Sequence, residues 1–225
     1  MKRKMSRSNM IILGISIVFH LMTYFGTRIF TKELYHYDMT TKIDNYIPVL
    51  PWTIIIYWGC YLYWLINYLL GFTQDEMEAR HFILADLFAK VVCFFCFVCI
   101  PTTNVRPIVM NTDIFNRGLL FLYKLDSADN LFPSIHCLTS CFSIIAIRRQ
   151  SSVPKWYKVL SFIITLFVFV SVLTLKQHVI ADVIGAIVLA EFSYWITGLK
   201  KNRATVMQKK PAIKSFVENV PLDRT

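Results

Sequence analysis

Two short stretches, FPSIH from Phe132 to His136 and KQHVIAD from Lys176 to Asp182, carry residues able to do nucleophilic and acid–base chemistry. His178 and Asp182 are four positions apart, so on a helix they share one face. An imidazole that donates one N–H to a carboxylate has its tautomer fixed, and the carboxylate stabilises the positive charge that develops on the ring. The second ring nitrogen is then a competent nucleophile. His136 supplies another imidazole, suited to protonating a leaving oxygen. Arg106, in TTNVRP, offers a cation for phosphate oxygens. Pro133 stands where its missing N–H costs nothing, and the helix that follows presents free amides and a positive dipole end beside the Ser134 hydroxyl. The set describes attack on a phosphate ester: His178 as nucleophile oriented by Asp182, His136 as acid, Arg106 and Ser134 as phosphate ligands. The same histidines and carboxylate also suit a structural hydrogen-bond cluster or a two-histidine, one-carboxylate metal site.

Residues so far apart in the chain need a scaffold that gathers them. The 225 residues are 56% hydrophobic, 15% aromatic and only 17% charged, a composition that excludes an ordinary soluble domain. A bilayer crossing takes roughly 20 mostly apolar residues, and six segments qualify: 9–30, 50–72, 82–100, 134–147, 160–175 and 179–199. They predict an all-α integral membrane bundle of six transmembrane helices forming one domain over 1–225, with basic cytoplasmic termini at 1–8 and 200–225. The apolar run after MKRKMSRSN is longer than a signal core and meets no small-residue cleavage site, so it reads as a retained helix. Lys and Arg concentrate in the termini and alternate loops, which places both termini in the cytoplasm. Alternation then brings Arg106, His136, His178 and Asp182 to the extracytoplasmic end. The net charge of +10 is explained by this asymmetry and by attraction to anionic membrane lipids, with no nucleic-acid partner required.

Other polar residues have plainer readings. Asp86 and Lys90 are spaced to pair within the bundle, and His20, His36 and His81 read as interfacial. Cys93, Cys96 and Cys99 recur every third residue, yet no second ligand cluster accompanies them, so they read as apolar filler. Ile114–Leu125 reads as an interfacial helix flanking the site. The fourth segment, short and carrying Thr139, Ser140 and Ser143, belongs in the interior beside the sixth.

FPSIH followed by KQHVIAD resembles the second and third signature motifs of the type 2 phosphatidic acid phosphatase superfamily, and TTNVRP resembles the end of the first. The resemblance implies a phosphohistidine at His178, orientation by Asp182, acid catalysis by His136, phosphate binding by Arg106 and the Ser134 region, and neither metal nor other cofactor. The chain departs from the pattern in three places: Cys99 stands where the first motif has lysine, Ile135 where the second has glycine, and Ser171–Val172 where the third has Ser–Arg. Lys176 is placed to compensate as a phosphate ligand, and the KQHxxxD spelling is similar to a variant branch resembling lipid phosphotransferases. The expected activity is hydrolysis of a lipid phosphate or diphosphate at the outer leaflet. The alternatives are a phosphotransferase of the phospholipid or sphingolipid synthase type and a non-catalytic anionic-lipid carrier.

Overall fold

The structure, a computed structural model, describes residues 7–198. The basic termini expected at 1–8 and 200–225 therefore lie outside the described residues, apart from Arg7 and Ser8. Among the described residues, five helices are long and apolar enough to cross a membrane: α1 (Arg7–Thr31), α3 (Pro51–Phe72), α4 (Glu76–Cys99), α7 (Lys155–Thr174) and α8 (Ile180–Gly198). Between them lie α2 (Lys42–Tyr46), α5 (Ile114–Leu125) and α6 (Ile135–Arg148). Strands β1 (Tyr37–Asp38) and β2 (Thr102–Thr103) pair in parallel, joining the loops that follow α1 and α4.

The helix starts follow local chemistry. Asp75 caps α4 by accepting from the Met77 and Glu78 amides, and Asp113 caps α5 from Phe115 and Asn116. Pro51 opens α3, where no N–H is needed. A π-helical stretch, Met22–Gly26, interrupts α1.

The fourth of the six expected crossings, the short segment 134–147, is α6, which has 14 residues. At 1.5 Å per residue it spans about 21 Å, short of a hydrocarbon layer of about 30 Å. Its burial explains how so short and polar a helix is accommodated: only Cys141, Ile144 and Arg148 escape full burial. It packs against α3 and α7 and touches α4, while α1 lies along α4. Trp64 donates to Ser140 Oγ at 2.8 Å, and Arg148 reaches Glu191 on α8 at 2.6 Å. The core contains Tyr57, Phe82, Leu138, Phe142 and Val168, while Ile29, Ile55, Phe162 and Val188 stand exposed on outward faces. Apolar residues line both the inside and the outside, as lipid contact demands.

Asp86 and Lys90 do pair, Nζ to Oδ2 at 2.6 Å, and Ser16 and Tyr68 donate to the same carboxylate at 2.7 and 2.8 Å. The histidines need correcting. His81 is buried rather than interfacial because its register on α4 turns it toward α8, where it stacks on Tyr194 at 4.2 Å. His20 sits partly buried in a lateral groove with Asp86 and Lys90. Cys93 is buried, Cys96 half-buried and Cys99 exposed, so the cysteine repeat walks round α4 instead of converging.

Candidate active site

The nucleophile candidate sits in the turn between α7 and α8. Helix α7 ends with Gln177 N–H bonded to Val172 O at 2.9 Å and Lys176 N–H to Leu173 O at 3.1 Å, the paired bonds of a Schellman cap. Its left-handed position is taken by Lys176, at φ 53°, where glycine is usual. The chain then reverses into α8. His178 Nδ1 lies 3.2 Å from Asp182 Oδ2, which also accepts the Val179 amide at 3.0 Å. A carboxylate can only accept, so Nδ1 carries the proton and Nε2 of the neutral ring keeps its lone pair. Asp44, across the bundle end, accepts the Ile180 amide at 2.8 Å and so caps α8 from outside.

The acid candidate comes from α6. The loop before it runs through a cis Phe132–Pro133 bond, and the Ser134 hydroxyl caps the helix by accepting the Cys137 amide at 3.2 Å. That residue is fully buried, its hydroxyl serving as the helix cap. His136 is also buried. Tyr57 packs on its ring at 4.6 Å and Trp64 at 5.6 Å, and Tyr61 OH lies 3.4 Å from Nε2. The His136 and His178 ring centroids are 5.9 Å apart, near enough for both to reach one tetrahedral group.

Both imidazoles line a cavity of about 30 Å³, together with Arg28, Asp126, Asp129 and Gln177. Arg28 bonds Asp126 at 2.6 Å through Nη2 and Asp129 at 2.8 Å through Nε. Burial works to raise the Asp126 pKa, but His136 and Arg28 outweigh it and hold the carboxyl below its usual range. Arg106 stands behind this cavity instead of in its wall. It donates to Asp126 O at 2.6 Å and to Gln177 Oε1 at 2.9 Å, with its guanidinium 4.5 Å from the Tyr123 ring centre. Lys176 faces a second cavity of about 420 Å³, on which His178, Asp44 and Asn104 also border. Its ammonium donates to Asp44 O at 2.7 Å, and burial lowers its pKa against the opposing charge of Asp44.

The structure therefore gathers His136, His178 and Asp182, with Ser134 as the helix cap between them. Arg106 reaches this group through Gln177, and Lys176 borders the second cavity that His178 also lines. Arg28 and Gln177 were not foreseen. Arg28 stands at the end of the first apolar run with no motif around it, and a glutamine between lysine and histidine carries no spacing signal. Among the described residues, no three His, Cys, Asp or Glu side chains group as a metal site.

Membrane-length helices thus enclose a buried imidazole pair at one end of the bundle, one ring oriented by a carboxylate. Residues 32–196, well over half of the chain, match the model of the PAP2 superfamily, and the chain belongs to that superfamily. No curated protein and no solved structure matches it. Superfamily membership supports phosphatase-type activity on phosphorylated substrates, and the apolar helices are those of a multi-pass membrane protein.

Proposed function

We propose that this protein hydrolyses a lipid phosphate or diphosphate at the outer leaflet of the cell membrane through a phosphohistidine on His178. The observation that carries the reading is the His178–Asp182 hydrogen bond at 3.2 Å beside an opposing imidazole 5.9 Å away. His178 Nε2 attacks phosphorus while the bond to the lipid oxygen breaks, and His136 delivers a proton to that oxygen. Asp182 stabilises the resulting imidazolium. His136, now neutral, takes a proton from water as the water oxygen attacks phosphorus. The P–N bond breaks, phosphate leaves and both histidines return to their starting states.

Arg106 supports the phosphate site through Gln177 and the Asp126 carbonyl. Ser134 does so by fixing the amides that open α6, and Lys176 draws the anionic headgroup toward His178 from the larger cavity. The apolar outer surface supports a lipid substrate taken from the bilayer, and α6 serves as a short sixth crossing. The Lys and Arg asymmetry supports cytoplasmic termini and an extracytoplasmic site.

Discharge to a lipid alcohol would make the protein a phosphotransferase, the reading favoured by the KQHxxxD spelling. Water is the acceptor in this reading, since among the described residues none lining the cavity of the two histidines offers a group that would select a lipid alcohol. The test is to quench turnover of a radiolabelled lipid phosphate and look for acid-labile, base-stable label on the wild type, absent from His178→Ala. No label during active turnover would overturn the covalent route, and a carrier would show neither label nor turnover. Heavy oxygen from water should appear in released phosphate, whereas a new phosphorylated lipid would favour transfer. Cysteine introduced at Asn111 should react with an impermeant reagent on intact cells and cysteine at Ser151 should not, and the reverse would invert the topology.

A further inference from the structure

Among the described residues, Arg28 is the one side chain of permanent positive charge on the cavity that His136 and His178 share. It reaches there from the last turns of α1, N-terminal to the residues that match the superfamily. Its Nη2 and Nε donors are held by one oxygen each of Asp126 and Asp129. A guanidinium gripped by two separate acceptor oxygens presents the arrangement that suits two oxygens of a phosphoryl group.

Gln177 supplies the second half. Its side chain is buried and lines the same cavity. Arg106 has only donors to offer, so its bond to Gln177 fixes the carboxamide oxygen on that side. The amide nitrogen must then point the other way. It is buried with no partner among the described residues, a state that is costly unless something accepts its hydrogens.

We infer that Arg28 and the Gln177 amide nitrogen form the cradle for the phosphate oxygens in front of the two histidines, with Asp126 and Asp129 holding Arg28 until substrate arrives. The inference rests on the phosphatase reading above and adds its oxyanion ligands. One cation facing two carboxylates leaves excess negative charge, so an entering phosphate must displace one of them. Asp126 is the more firmly held, since Arg106 grips its carbonyl and the Tyr57 hydroxyl approaches its second oxygen at 3.4 Å. Asp129, whose side chain is 25% exposed, is the carboxylate that yields.

The test uses the full chain in nanodiscs of zwitterionic lipid, with orthovanadate as competitive inhibitor of nitrophenyl phosphate turnover. Arg28→Gln should raise the vanadate inhibition constant about tenfold to a hundredfold, and Gln177→Leu about threefold to tenfold. Asp129→Asn should lower it several-fold, a gain that misfolding cannot produce. If Arg28→Gln does not fold, Asp129→Asn alone decides, and an unchanged or higher constant there overturns the cradle. Wild-type constants in all three variants, with label still trapped on His178, would sink this inference and leave the phosphatase reading standing. A wild type that neither turns over nor binds vanadate would sink both.

Discussion

The Ser134 amide donates to the Asp182 carbonyl at 3.2 Å, tying the start of α6 to the start of α8. Through this bond the backbone that presents His136 and the backbone that presents His178 become one unit, and their separation is set by main chain rather than by mobile side chains. A site that must place an acid and a nucleophile around one phosphorus gains from that rigidity.

His178→Ala should lose all measurable turnover. Asp182→Asn should lose about two to four orders of magnitude in kcat, because the ring stays in place while its tautomer and charge stabilisation suffer. Equal losses in the two variants, measured on one lipid phosphate, would show that Asp182 does more than orient the ring.

His136→Ala should separate two substrates. An ester of an ordinary lipid alcohol needs its leaving oxygen protonated and should slow by about a hundredfold to ten-thousandfold, whereas nitrophenyl phosphate should slow far less. The same factor on both substrates would assign His136 to phosphate binding.

Gly185 lies under the Phe132 ring, and a β-carbon there would stand 2.5 Å from Cε2. Gly185→Ala should therefore displace the Phe132–Pro133 turn and with it His136, lowering kcat by about tenfold or more. Gly59→Ala, where nothing lies within 4 Å, is the matched control and should keep its activity.

Much of this was open to reading in the sequence. The HxxxD spacing, the apolar runs and the α5 segment each depend on periodicity within a few turns, and the structure places His178 beside Asp182 and gives α5 the expected bounds. What could not be read depends on pairing between distant segments. Arg28 acquires its meaning only from Asp126 and Asp129, and Gln177 only from Arg106. The β1–β2 pair is too short to show alternation. Ser134 shows that a hydroxyl before a helix suits both a cap and an anion ligand: it accepts the Cys137 amide and keeps its own hydrogen to donate.

Lys176 allows charge and conformation to be separated. Lys176→Gly removes the ammonium and relieves the left-handed backbone, so it should raise thermal stability by about 1 kcal/mol. Lys176→Met removes the charge and keeps the strain. If the ammonium draws substrate inward, KM should rise in both variants by a similar factor while only the glycine variant melts higher.

Asp44 gives a dependence on pH. Burial would raise its pKa, but hydrogen bonds from Thr41 and the Ile180 amide prevail and hold it below the usual carboxylate value. A depressed pKa stabilises the fold above the unfolded value, and that contribution disappears as pH falls through the folded one. Asp44→Asn should melt about 2–4 °C lower at neutral pH, as loss of about 1 kcal/mol implies. The gap should begin to narrow below about pH 4 and close as pH falls on through the depressed folded value. A gap that stayed constant on acidification would remove Asp44 charge from the account.

The Asp86–Lys90 pair also bears on how the chain enters the bilayer. Both partners lie on one helix a turn apart, so α4 neutralises its own charges before any neighbour has arrived. The segment can thus leave the insertion machinery without carrying an isolated charge into hydrocarbon. Ser16 on α1 and Tyr68 on α3 donate to Asp86 only once those helices have docked, so the same carboxylate that eases insertion of one helix later registers two others against it.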